Sequence, residues 1–273
     1  MIRLLLNGAR VLQRSHARIL AYHSVSVVCA DPWTVSPQQL DSDLALLCQH
    51  GFTVCGLPEL ISLIEAGKDI SRRVCLTFDD AFADFKSDAL PILEKWQAPA
   101  TVYVATGKVG GHSDWSHYAP QRPLMNLDDL VTLGKAQVEI TVGSHSIRHE
   151  RLSQLPMAQL EDEVTLSLQW LNAHLNITDF HFAYPYGDCT LRERQVVQTA
   201  GYRSAVLLGG LWGNSLGTDR WALVREPMLA AHTPADLAAI LSGKRDWHEL
   251  WVSLHRRLAI RAQKPINEFQ EQR

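Results

Sequence analysis

The chain has 273 residues, 46% of them apolar and 20% charged, with a formal net charge of −3. This balance fits a soluble globular protein with a substantial core, and scattered Lys and Arg under a weakly acidic total give no footprint for nucleic acid. Five cysteines, Cys29, Cys48, Cys55, Cys75 and Cys189, are odd in number and widely separated, which argues against a disulfide framework and shows no metal-finger spacing.

Residues 1–17 read as an N-terminal extension. The run Leu4-Leu5-Leu6 is too short for a signal-peptide core, and nothing approaches the ~18 apolar residues of a membrane span. The expected compartment is the cytoplasm, with peripheral attachment of residues 1–14 to a membrane face as the second expectation. Arg18 to Tyr22 predicts a first buried strand. Ser36-Pro37 opens a helix, since Ser caps and Pro is preorganised for the first turn; Leu40, Leu44 and Leu47 share one face and Gly51 ends it. Leu57 to Glu65 is a second helix. A strand over Val74–Phe78, a helix over Asp88–Trp96 and a strand over Ala100–Ala105 follow.

Residues 107–125 hold Gly107, Gly110, Gly111, Pro120 and Pro123 without a period, which predicts a long functional loop. Next come a helix over Leu127–Leu133, a strand over Val138–Val142 and the longest helix, Met157–Leu175, with Leu160, Val164, Leu168 and Leu171 as its apolar stripe. Phe180–Tyr184 is a strand, Leu191–Ala200 a helix and Ser204–Leu208 a strand. Late helices fall near Pro234–Leu241 and Trp247–Ile260, before a polar tail at 263–273. Alternating β and α segments of this length imply a parallel sheet. The expected architecture is one α/β domain, residues 18–262, in which the carboxyl ends of the strands carry the chemistry.

Two segments at such strand ends hold ligand-type side chains: Thr77-Phe78-Asp79-Asp80 and His145-Ser146-Ile147-Arg148-His149. Adjacent residues of extended backbone point to opposite sides, so the two aspartates are expected to divide their labour between holding a metal and lying beside the substrate. Histidines four apart are expected to meet on one helical turn. His112 and His117 are also close, but they follow no strand. Two imidazoles and a carboxylate fill three positions of a tetrahedral Zn²⁺ site and leave one open. The same set serves non-haem iron oxygenases, but the alternating α/β pattern favours hydrolysis.

These segments resemble the first two motifs of the polysaccharide deacetylases with a NodB-like domain, carbohydrate esterase family 4. Ala98-Pro99-Ala100-Thr101-Val102-Tyr103-Val104 is similar to the family's strand after the Asp pair. Phe182-Ala183-Tyr184-Pro185-Tyr186-Gly187 is similar to its third motif, and Ala21-Tyr22-His23-Ser24-Val25 resembles the opening strand of the branch acting on poly-N-acetylglucosamine and other exopolysaccharides. The resemblance spans residues 18 to 210. It implies a distorted (β/α) barrel and a divalent metal, zinc first, on Asp80, His145 and His149. It further implies Asp79 as general base and the backbone N–H of Tyr186 as oxyanion donor. Tyr184, Pro185 and Arg225 are expected on the substrate side; His23, which follows the first strand, is expected either to line the pocket with them or to be a satisfied structural histidine.

The pattern departs from the family's in three places. Ala81 stands where Gly is usual, and Ala183 where an Arg usually orients the base; Arg225 is the candidate to supply that charge from another strand. No clear Leu-x-His motif offers a general acid; Leu254-His255 and His232 are weak substitutes. Trp115, Trp212 and Trp221 are candidates for stacking on sugar rings. The expected function is metal-dependent deacetylation of an N-acetylated sugar polymer or its precursor. The alternatives are hydrolysis of a small non-peptide amide and a non-catalytic carbohydrate-binding role.

Overall fold

The structure, a computed structural model, describes residues 16–28, 31–115, 121–210 and 213–246. Its strands are β1 (Arg18–Tyr22), β2 (Ser24–Val25), β3 (Thr34–Val35), β4 (Thr53–Val54), β5 (Arg73–Phe78), β6 (Ala100–Val104), β7 (Ile140–Ser144), β8 (His181–Ala183), β9 (Ser204–Val206) and β10 (Glu226–Pro227). Eight of them form one sheet in the order β10-β1-β5-β6-β7-β8-β9, with β4 also on β5, and every ladder is parallel. The helices between them are α1 (Pro37–Gln49), α2 (Leu57–Glu65), α3 (Leu90–Trp96), α4 (Leu127–Leu133), α5 (Met157–Leu175), α6 (Leu191–Ala200) and α7 (Pro234–Leu241).

The sheet meets itself. Leu207 N–H donates to the carbonyl of Leu223 at 2.7 Å and Leu223 N–H to that of Ala205 at 3.0 Å, while β10 pairs with β1. Residues 223–227 therefore join the last strand to the first, and the curled sheet becomes a barrel.

Parallel strands covered on both faces read as near-continuous apolar runs, and β1 is buried at all five positions. Alternation still sorts the side chains. Leu20, Tyr22, Leu76 and Phe78 pack outward with Leu40, Leu44 and Leu47 of α1. Ile19, Cys75 and Tyr103 pack inward with Leu57, Leu60 and Ile61 of α2, which plugs the end where the strands begin. The opposite end, where they stop, is left open for a site.

Three local readings are corrected. The helix expected from Asp88 starts earlier, as a π-helical turn over Phe85–Ala89 that runs into α3. Strand β7 begins and ends two residues later than the apolar pattern suggests, which puts Ser144 in the ladder opposite Val104 and His145 directly at its end. Strands β8 and β9 are shorter than expected. The N-terminal extension to residue 15, the expected helix from Trp247 and the polar tail lie outside the described residues, as does Trp212. No helix among the described residues is long and apolar enough to cross a membrane.

Candidate active site

Asp79, His145 and Tyr184 are the first residues beyond β5, β7 and β8. Each chain then turns sharply. Eight described non-glycine residues have positive φ, and five of them follow these strands: Asp80, Ala81, Ser146, His149 and Tyr186. Left-handed backbone costs a residue with a Cβ roughly 1–2 kcal/mol, and strain concentrated in one place marks a functional site. The aspartates do face different partners, but because Asp80 sits at φ 70° and not because the backbone is extended. The histidines are likewise not on a helical turn; residues 145–149 are irregular. The Cβ that Ala81 carries in place of a glycine hydrogen is held at φ 55° in the core.

Asp80, His145 and His149 converge, with one ligand atom from each lying within 4.8 Å of the others. Asp80 Oδ1 is 3.6 Å from His145 Nε2 and 3.2 Å from His149 Nε2. All three side chains are buried. His145 Nδ1 lies 2.8 Å from the carbonyl of Ala183; a carbonyl only accepts, so Nδ1 carries the proton and Nε2 offers its lone pair inward. Asp80 Oδ1 and His149 Nδ1 are buried without a hydrogen-bond partner. Burial pushes His145 down to about 4, which keeps it neutral. Burial alone would raise Asp80, but His149 beside it holds the carboxyl below its usual range. A buried carboxylate oxygen and two imidazole nitrogens aimed at one point are a donor set that fits a cation. Ligands at 2.0–2.1 Å in a tetrahedron stand about 3.3 Å apart, close to both measured separations.

Asp79 faces away from this cluster, toward Arg225. Arg225 donates to both carboxylate oxygens, at 2.6 and 2.7 Å, to Thr77 Oγ1 at 3.0 Å and, through Nε, to the carbonyl of Leu207 at 2.8 Å. The guanidinium lies over the Tyr103 ring and is fully buried. Burial favours the neutral acid, but the charge and hydrogen bonds of Arg225 outweigh it and hold the Asp79 carboxyl well below the usual range. Ala183, where the family pattern has its Arg, gives only a carbonyl to His145. The charge beside Asp79 comes instead from the closing segment 223–227.

These groups open into a cavity of about 720 Å³ whose walls include His23, Trp33, Trp115, Arg122, Arg151 and Tyr186. His23 Nε2 is 3.9 Å from Asp79 Oδ2, and its ring is tilted against Trp33 at 4.7 Å. Across the cavity Trp115 stacks on His149 at 4.3 Å, while Tyr186 meets His149 edge-on at 4.7 Å. Tyr184 and Pro185 are buried and not among the lining residues; the Tyr184 hydroxyl donates to the carbonyl of Trp221. Trp221 packs in that same cluster. His232 is also elsewhere, just before α7, where its Nδ1 accepts from Leu229 N–H. Of the loop histidines, His112 is exposed and outside the cavity, and His117 lies outside the described residues.

Sequence reasoning missed Glu163. It is fully buried on α5, accepts from the N–H groups of Ile147 and Arg148 at 2.9 Å each and pairs with the Arg148 guanidinium at 2.9 Å. Ser144 Oγ accepts from Ser146 N–H, and Ser146 Oγ from His149 N–H. Together these bonds fix the loop that presents both histidines. The available signal was an acid placed three residues after Leu160 and beside Val164, on the apolar stripe. Trp33 and Arg122 left no comparable mark.

Residues 66–205, just over half of the chain, match the family model described as polysaccharide deacetylase. The poly-beta-1,6-N-acetyl-D-glucosamine N-deacetylase of Staphylococcus aureus (strain MRSA252) is 26% identical over 204 residues, 73% of this chain and 70% of that protein. The Bacillus subtilis (strain 168) protein YxkH, named for the same family, is 25% identical over 189 residues, and the alignment spans 63% of its length. Among solved structures, IcaB from Ammonifex degensii superposes with a TM-score of 0.73 at 21% identity, covering 84% of this chain and 97% of that one. The Streptococcus pyogenes deacetylase PplD in complex with acetate gives 0.71 at 24%, covering 83% and 98%. These two likenesses show the fold.

Proposed function

We propose that this chain, which belongs to the polysaccharide deacetylase family, hydrolyses the acetamide of an N-acetylated sugar polymer with a divalent metal, zinc first, held by Asp80, His145 and His149. The observation that carries this reading is one cavity with two differently prepared carboxylates. Asp80 completes a ligand triad, and Asp79, a neighbour in sequence, is gripped by Arg225 outside it. A divalent cation at the triad supplies the positive charge that makes water a stronger acid and the acetyl carbonyl a better electrophile.

The chain's own residues do the rest. Asp79, kept ionised by Arg225, accepts the proton lost as water adds to the carbonyl carbon. Each of its oxygens retains a lone pair beyond the one that Arg225 uses. The backbone N–H of Tyr186 is our candidate donor to the developing oxyanion; removing one such donor elsewhere costs about 2.7–4 kcal/mol of barrier. The C–N bond then breaks, the proton on Asp79 passes to the leaving nitrogen, and acetate and an amine remain. Trp33 and Trp115, on opposite walls, offer indole faces to the apolar faces of pyranose rings.

The test is acetate release from poly-β-1,6-N-acetylglucosamine and chitin oligosaccharides by zinc-loaded protein. Release that disappears in Asp79→Asn supports the reading. No release from any acetylated glycan, or full activity in Asp79→Asn, overturns it.

A further inference from the structure

We infer that Arg151 reads an anionic substituent, a carboxylate or a phosphate, on the sugar next to the one that reacts. The inference deepens the deacetylase reading and rests on it for the position of the reacting sugar. It comes from charge matching along the cavity walls. Three acids line the cavity, Asp31, Asp79 and Asp80. Asp79 has Arg225. Asp80 belongs to the metal triad. Asp31 has Arg122 at 3.4 Å, and Arg122 is further matched by Asp84 at 3.8 Å.

The remaining lining cation is Arg151. Among the described residues no carboxylate pairs with it. The acids nearest in sequence or in the cavity are engaged elsewhere: Glu150 with Arg148, Asp114 with Lys108, and Asp188 with the Ser153 hydroxyl. Its guanidinium carbon stands 4.3 Å above the centre of the Tyr186 ring. Tyr186 in turn touches His149, so Arg151 sits about one sugar unit from the metal triad. Stacking on an aromatic face orients the planar fork and leaves its N–H edges open. That is the geometry in which Arg binds a carboxylate or phosphate through two parallel hydrogen bonds.

The opposite wall is built differently. There Arg122 is half-buried and bonded to Ser24, Asp31 and Asp84, so its positive charge is already satisfied. The cavity thus has a neutral side at Trp33 and Arg122 and a cationic side at Tyr186 and Arg151. A substrate with an acid on one side of its acetylated sugar would be bound in one direction only.

The experiment is calorimetry on the full chain with four probes: a hyaluronan tetramer, an N-acetylglucosamine tetramer, the N-acetylglucosamine disaccharide phosphorylated at C1 of its reducing sugar, and that disaccharide without the phosphate. The first and third carry the carboxylate and the phosphate; the others are their neutral counterparts. Wild type should bind at least one anionic probe about tenfold tighter than its neutral partner, the size expected of a charged hydrogen-bonded pair. Arg151→Gln should erase that preference and leave neutral binding unchanged, while Arg151→Lys should keep part of it. Which anionic probe is preferred separates carboxylate from phosphate. Equal binding of both pairs by wild type overturns the inference, and so does a preference that survives Arg151→Gln. Acetate release from the neutral tetramer is measured alongside; its absence would count against the deacetylase reading and leave the binding result standing.

Discussion

Arg225 and Asp79, 146 positions apart, form a two-pronged ion pair with both partners buried, at 2.6 and 2.7 Å. Each charge depends on the other. Arg225→Met strands a carboxylate in the barrel, and breaking such a pair from one side costs about 3–5 kcal/mol. Asp79→Asn strands the guanidinium in the same way. The double variant should therefore lose much less than the sum of the single losses. Urea unfolding of the four proteins measures this, and simple additivity would show that the two charges are not coupled.

The converging lone pairs of Asp80, His145 and His149 make the fold responsive to metal. An ion that binds only the folded chain adds roughly 2.7 kcal/mol at a hundredfold excess over its Kd. Zinc should raise the melting temperature of wild type, and a chelator should reverse the rise. Asp80→Ala and His149→Ala should show neither response. An equal rise in the variants would place the ion elsewhere.

Much of this was readable in the chain because the site grows from strand ends. The apolar runs before Asp79, His145 and Tyr184 are strands buried where they approach the site, and such strands announce themselves by composition. The capping pattern placed α1, and α2, α4, α5 and α6 lie where their periodicity puts them. The loops were harder. Nothing in Asp80 or Ser146 shows that the chain turns left-handed there, because that conformation is imposed by bonds from distant elements, Glu163 and Met125 among them. Tyr184 was misplaced on the substrate side for a related reason. It follows the strand directly, but its side chain alternates back into the core and Tyr186 takes the wall.

Glu163 should matter through the loop it holds. Its carboxylate anchors Ile147 and Arg148 between the two histidines, and partners that orient metal ligands typically contribute 10–100-fold in affinity (about that much in other metal sites). Glu163→Ala should weaken zinc binding by about that factor, and Glu163→Gln, which keeps an acceptor oxygen, by less. A zinc titration separates this from a role in stability alone: a lower melting temperature with unchanged zinc affinity would mean that Glu163 only holds the fold.

Asp43 offers a test far from the chemistry. It is buried on α1 and accepts the Tyr22 hydroxyl at 2.9 Å. Burial pushes its carboxyl up from 3.8 to about 6, against the smaller effect of that hydrogen bond. The folded chain thus holds a proton that the unfolded chain releases at lower pH. Stability from this group is full below about pH 4 and falls as pH rises through about 6. A shift of this size corresponds to about 3 kcal/mol at most. Asp43→Asn keeps an acceptor for Tyr22 and carries no charge, so it should be more stable than wild type at pH 7.5, with the gap closing toward pH 4.5. Denaturant melts of both proteins at the two pH values measure it. A gap that does not change with pH would show that Asp43 stays ionised in the folded chain.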